Sequence, residues 1–411
     1  MRPSSYLPLE LVSRILDHTR PSSTGDVQAW RSHSIDLERH YSLVNSTWHS
    51  AAAEERMRHL VIDGGQSTIS SLIRTFDRDQ EVSPQQQQQQ QLDQARPHLH
   101  DGEFDTSSDS VWGSASAGEL GEEPLGQRAF PTHCVTSLFV LAFDNRPKFS
   151  TMLPLLSRLP RLRRIVFFRC LQLDFVQIGN LQVNLDELYC IDCFIIENPR
   201  FEHPSTPLRI RRLVLDSTLL PTTIPAALLP ELTHLAQINV NGRSAASFTR
   251  DAWLAEFAPQ LTSCALTLVG SGWHSDLPII RAMRQIKVLD LFTPNAVGLP
   301  VAAILGPSPF ECAIRSTIEF LRIEMTGYRF NTFVLWAQDN PPPNKLRYLS
   351  LRIQESVQDD ARDNLLRVWA KVKITVVVVR ENRRREEGYD ELFWNRVERG
   401  YFDPILADPN P

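Results

Sequence analysis

The chain is short of most features that would announce a chemistry. Six cysteines in 411 residues are too few and too scattered for a disulfide framework, which points to a reducing compartment. The longest apolar runs, near 135–143 and 374–379, are far too short to cross a bilayer. No apolar leader core follows Met1-Arg2-Pro3-Ser4-Ser5-Tyr6. A net charge of -5 leaves no basic footprint for nucleic acid or an anionic membrane. Phosphate-binding glycine loops, a dinucleotide fingerprint, G-x-S-x-G and H-E-x-x-H are all missing from the sequence. The expectations are a cytoplasmic or nuclear protein, no enzyme activity, no catalytic or metal residues, no cofactor, and no nucleic-acid or membrane partner.

What is present begins at the N-terminus. Leu7-Pro8-Leu9-Glu10-Leu11-Val12-Ser13-Arg14-Ile15-Leu16 opens on a proline suited to a first helical turn. Leu7, Leu11 and Ile15 recur at i, i+4, i+8, and Leu9, Val12 and Leu16 at i, i+3, i+7. Leu43, Val44, Trp48, Ala51 and Ala52 form a second helical stripe, and Pro21-Ser22-Ser23-Thr24-Gly25 reads as a loop between them. Two or three short helices cannot close a core of ordinary size, so part of this surface must rest on something else.

Residues 77–131 change character. An unbroken glutamine run from Gln85 to Gln91 leads into Ser, Asp, Gly and Glu. Such a segment buries too little apolar surface to offset its ordering entropy, and we expect disorder there.

From 135 onward the pattern L-x-x-L-x-L recurs. The best copy is Leu185-Asp186-Glu187-Leu188-Tyr189-Cys190-Ile191-Asp192-Cys193-Phe194-Ile195. Further copies stand at 162–170, 210–215, 235–240, 286–291, 318–323 and 346–351, with looser ones at 135–140, 261–268 and 374–379. The interval runs from 23 residues (Leu162 to Leu185) to 32 (Ile286 to Ile318). Repeats of this length predict an α/β array of one strand and one return segment per unit. Cys190 and Cys193 are spaced like a metal or redox pair, but no second pair accompanies them. They read as small buried residues, with Cys170 and Cys193 in equivalent ladder positions. After Val379 the chain turns polar and then aromatic at Tyr389, Phe393, Trp394, Tyr401 and Phe402, which predicts a cap on the last repeat.

The Leu-Pro opening, the Leu43–Val44–Trp48 stripe and the L-x-x-L-x-L units together resemble F-box proteins with leucine-rich repeats of the degenerate fungal kind. The resemblance covers residues 4–60 (the F-box-like helices) and 135–380 (the repeats). It leaves outside the 77–131 insertion and the 381–411 tail. It departs from the compact motif in the long gap between Leu16 and Leu43. What it implies is a substrate-recognition adaptor of a Skp–cullin–F-box ubiquitin ligase. Its partners would be a Skp-type linker, through it a cullin, and an unknown substrate protein. Leu7, Pro8, Leu9, Leu11, Ile15, Leu16, Leu43, Val44 and Trp48 would form or support the linker-docking face. The outward strand positions would bind substrate: Arg164, Phe168, Glu187, Tyr189, Arg212, Asp216, Asp290, Phe292, Arg322, Glu324, Tyr348 and Arg352; the alternative is that several of these pack under the C-terminal tail. Two alternatives stand beside it. One is a repeat scaffold whose helices merely cap the array. The other is an enzyme with an unrecognised site.

Overall fold

The computed structural model describes residues 7–21, 24–77, 132–143, 146–181, 183–196, 198, 206–218, 224–238, 255–267, 282–292, 314–325, 327–339, 342–353, 363, 367, 375–380 and 392–399. All of the expected disordered insertion except Asp77 lies outside these residues.

Three helices come first. Helix α1 (Leu9–Thr19) starts behind Pro8, whose carbonyl accepts from the N–H groups of Leu11 and Val12. Helix α2 (Val27–Arg39) begins where the Asp26 side chain accepts from the Ala29 N–H at 2.9 Å. A single turn at Tyr41–Leu43 leads to α3 (Ser46–Arg58), which Asn45 caps by accepting from the Trp48 N–H at 3.1 Å. Capping side chains satisfy donors that a helix start leaves unpaired.

Helix α3 runs straight into β1 (His59–Asp63). Ten strands follow: β2 (Ser137–Leu141), β3 (Arg164–Phe168), β4 (Glu187–Ile191), β5 (Arg212–Asp216), β6 (His234–Ile238), β7 (Ser263–Thr267), β8 (Val288–Phe292), β9 (Phe320–Met325), β10 (Tyr348–Ile353) and β11 (Thr375–Arg380). They pair in chain order into one open parallel sheet of eleven strands, and each of β2–β11 falls on one of the L-x-x-L-x-L copies. Strand β1 falls on none of those copies, although its Leu60 and Ile62 stand in register with Leu138 and Val140.

The units repeat in detail. The carbonyl just before each strand from β2 to β9 accepts two N–H groups from the start of the next strand, as Asp186 does from Arg211 and Arg212. Arg169, Asp192 and Ser217 each follow their strand by one residue with φ of 59°, 50° and 50°. Two residues past the strand, Cys170, Cys193 and Thr218 point their Sγ or Oγ1 at strand carbonyls; Thr218 Oγ1 donates to Cys190 O at 2.8 Å. A small donor here satisfies a carbonyl that the turn would otherwise bury unpaired.

Register stacks like on like. Leu138, Ile165, Leu188, Leu213, Leu235, Cys264, Leu289, Leu321 and Leu349 stand side by side across nine strands. This row and the next inward one (Val140, Phe167, Cys190, Leu215) form the main core. Return helices close it: α4 (66–77) with Ile69 and Phe76, α5 (Phe149–Leu156), α6 (Phe175–Asn180) and α7 (Gly327–Asp339) with Phe330, Phe333 and Val334. Gly179 in α6 is needed for close packing, since a Cβ there would sit 2.7 Å from the Thr206 carbonyl.

The opposite, or ladder, face is the second surface. The last helix, α8 (Phe393–Glu398), lies against it. The sequence predicts that the aromatic tail caps the last repeat; Tyr389, Tyr401 and Phe402 lie outside the described residues. In the part described, the contacts of α8 fall on β5, β6 and β8–β10, because its aromatic side chains find their apolar partners on the ladder face.

Candidate functional site

Two surfaces gather the residues singled out by the sequence, and they differ in state. The first is the helical unit. Its private core is only Val12, Leu16, Leu37, Ala51 and Ala52, with Tyr41 and Trp48 stacked at 5.8 Å beside it. Leu16 is therefore a core residue that supports the surface from beneath, and Trp48 is half-buried. The other proposed docking residues point outward. Leu7, Leu9, Leu11, Ile15, Leu43 and Val44 are exposed, Leu43 at 78%, and so is Pro8. Nine large apolar side chains are exposed among the described residues, and seven of them lie between Leu7 and Val44. Exposed apolar residues concentrated in this way mark an interaction surface more often than chance does.

The unit is fastened to the sheet by α2, which the sequence reading had treated as part of the gap. Trp30 stacks on Phe139 of β2 at 4.4 Å, and Arg31 lies 4.9 Å over the Phe143 ring. Beneath them a polar cluster is buried. Arg20 donates to Glu55 through two nitrogens, one at 2.6 Å, and His59 Nε2 stands 3.6 Å from the same carboxylate. Burial first, then the nearby Arg20, Arg164 and Arg58 and His33, push the His59 pKa down to about 3, because the Glu55 charge is already spent on Arg20. His33 is lowered as well, mainly by burial.

The second surface is the ladder face. All twelve proposed substrate-binding residues share it, but few of them are open. Arg164, Phe168, Glu187 and Arg212 are half-buried. Tyr189, Asp216, Asp290, Phe292, Arg322, Glu324, Tyr348 and Arg352 are buried. The chain's own segments cover much of this face. Tyr189 meets the side chain of Thr24 from the α1–α2 turn, and burial raises its phenol to about 12.

At the other end α8 provides the cover. Phe393 packs 5.9 Å from Tyr348 and 5.1 Å from the Arg322 guanidinium, which also lies 5.5 Å over Phe292. Arg322 is thus held between two aromatic faces while it donates to both oxygens of Asp290, one at 2.7 Å. Trp394 meets the His234 ring edge-on at 5.6 Å. Glu398 accepts from Arg212 at 2.7 Å and bonds His234 Nε2 at 3.1 Å. The His234 hydrogen bond, helped by Arg212, holds the Glu398 carboxyl below its ordinary range. Glu398 so extends a row of alternating charge, in which Glu187 already bridges Arg164 at 2.7 Å and Arg212 at 3.3 Å.

The cysteine pair has a structural part. Cys190 and Cys193 are buried, and burial pushes the Cys170 and Cys190 thiols well up, so both stay protonated at neutral pH. Among the described residues no group of three His, Cys, Asp or Glu side chains could hold a metal ion, and no helix is long and apolar enough to cross a membrane. No protein-family model matches the chain, and no curated protein matches its sequence.

Proposed function

We propose that the chain is a substrate-recognition adaptor of a Skp–cullin–F-box ubiquitin ligase, with the array of strands acting as a leucine-rich-repeat domain. The observation that carries this reading is the exposure of Leu11, Ile15, Leu43 and Val44 on a helical unit too small to need them in its own core. A linker protein with an apolar groove would bury them. The bonding of Cys170, Cys193 and Thr218 to strand carbonyls supports the repeat assignment. The adaptor would work by proximity, raising the effective concentration of a substrate lysine at the charged conjugating enzyme. No catalytic residue, cofactor or metal is required of it.

The test uses the full chain, because Trp30 ties the helices to the sheet. Purified full-length protein should capture a purified Skp-type linker, and the Leu11→Asp/Ile15→Asp variant should lose that capture with its circular dichroism unchanged. A wild-type chain that is folded yet captures no linker would leave the second reading, a repeat scaffold with a helical cap. That reading is favoured by one observation, the packing of Trp30 on Phe139 and of Thr24 on Tyr189.

A further inference from the structure

The cover over the ladder face does not look like ordinary core. It is a helix of six residues, flanked by Leu392, that buries Phe393 and Trp394. Beneath it lies a fully buried ion pair, Asp290–Arg322, where the other side of the sheet carries none among the described residues. Where α8 meets the ladder, Arg322 Nη1 and Trp394 Nε1 are buried without a hydrogen-bond partner among the described residues, as are Arg31 Nε and Gln237 Nε2 elsewhere. An unpaired buried donor marks an imperfect fit. The one carboxylate of the segment, Glu398, is held at the rim between Arg396 and Arg399 and is 39% exposed. The ladder also continues past α8, where Arg164 is 30% exposed and Phe168 is half-buried, while Glu187 is only 12% exposed.

We propose that α8 is an internal stand-in for a partner segment. In its place the ladder face takes a short helical stretch of another protein carrying two adjacent aromatic residues and a carboxylate four residues after the second. Phe393, Trp394 and Glu398 display that pattern. The aromatic pair fills the surface around Arg322, Phe292 and Tyr348, and the carboxylate pairs with Arg212 and His234. Anchoring aromatics with a charged partner at the edge are the usual hot spots of such docking. A longer partner reaches Arg164 and Phe168, which α8 leaves partly open, and so gains contacts that the stand-in lacks. That the incoming segment belongs to a ubiquitylation substrate rests on the adaptor reading above; the exchange itself does not.

The experiment measures fluorescence anisotropy of a labelled synthetic peptide with the sequence of residues 391–400, titrated with the full chain. A tethered segment competes at roughly millimolar effective concentration, so the wild type should bind the peptide at least about tenfold more weakly than Phe393→Ala/Trp394→Ala. Glu398→Arg, altered only at the exposed rim, should fall between them. Adding Arg212→Glu to the double variant should remove the gain. Equal binding by all the chains, or none by any, would overturn the proposal. If the double variant fails to fold, Glu398→Arg decides alone: a gain over the wild type supports displacement, and no gain refutes it. Linker capture by the same preparations separates the two readings. Capture without a peptide gain sinks only the stand-in, and a peptide gain without capture sinks only the adaptor.

Discussion

The helical unit and the ladder face both present apolar residues away from their local core, but one is left open and the other is closed. Leu43 stands 78% exposed, whereas Phe292 of the ladder is 4% exposed beside Arg322 and Phe393. The difference lies in what the chain supplies to each. Residues 392–398 offer two aromatics and an acid that fit the ladder, and no described segment offers the same to Leu11, Ile15, Leu43 and Val44. An apolar pattern in the sequence thus marks a surface that needs a partner. Whether the partner is the chain itself depends on segments far away in sequence.

The contrast can be broken most heavily from the core side. Phe167→Ala, at a fully buried site between the sheet and α5, should cost about 3–5 kcal/mol in denaturant unfolding. Leu43→Ala on the open face should change stability by under about 0.5 kcal/mol. Equal losses would erase the distinction between the two kinds of apolar residue. On the closed ladder, Asp290→Ala leaves the Arg322 charge buried without its carboxylate and should cost about 3 kcal/mol, while Asp290→Ala/Arg322→Met should recover part of that loss. A single variant as stable as the wild type would mean that α8 does not keep water from the pair.

A further effect is read from pH. His59 titrates at about 3 in the folded chain and near its ordinary 6.5 when unfolded. As pH falls below 6.5 the unfolded chain takes up a proton that the folded one refuses. Stability is therefore complete above that point and declines toward pH 3, by at most about 1.4 kcal/mol per pH unit. His33, shifted the same way, adds to the slope. Between pH 6.5 and 5, His59→Gln should flatten the decline in melting temperature. An unchanged slope in the variant would place the pH dependence elsewhere.

The strands were legible because their signal is local and repeated. Leu185, Leu188 and Cys190 mark a strand within one unit, and nine more units say the same. The ladder position of Cys170 and Cys193 was also readable, although Thr218, which completes it, was not, because a lone threonine carries no spacing signal. Strand β1 was missed although Leu60 and Ile62 stand at the motif positions, in register with Leu138 and Val140 of β2, because the residue that would lead the unit, Met57, belongs to helix α3. Helix α2 was missed although Asp26 as a cap and Trp30, His33 and Leu37 at i, i+3, i+7 announce it. The candidate ladder residues share one face, as strand alternation dictates, and cover by the C-terminal tail was an open alternative, but which of them it buries could not be read. It arises from contacts spanning up to 186 residues, such as Arg212 to Glu398.

The most direct test of the central claim is amide hydrogen exchange on the full chain with and without a purified Skp-type linker. The account predicts added protection at residues 7–19 and 41–48, with the strands β3–β10 unchanged. Protection that falls on the strands instead, or none at residues 7–48 despite saturating linker, would contradict it.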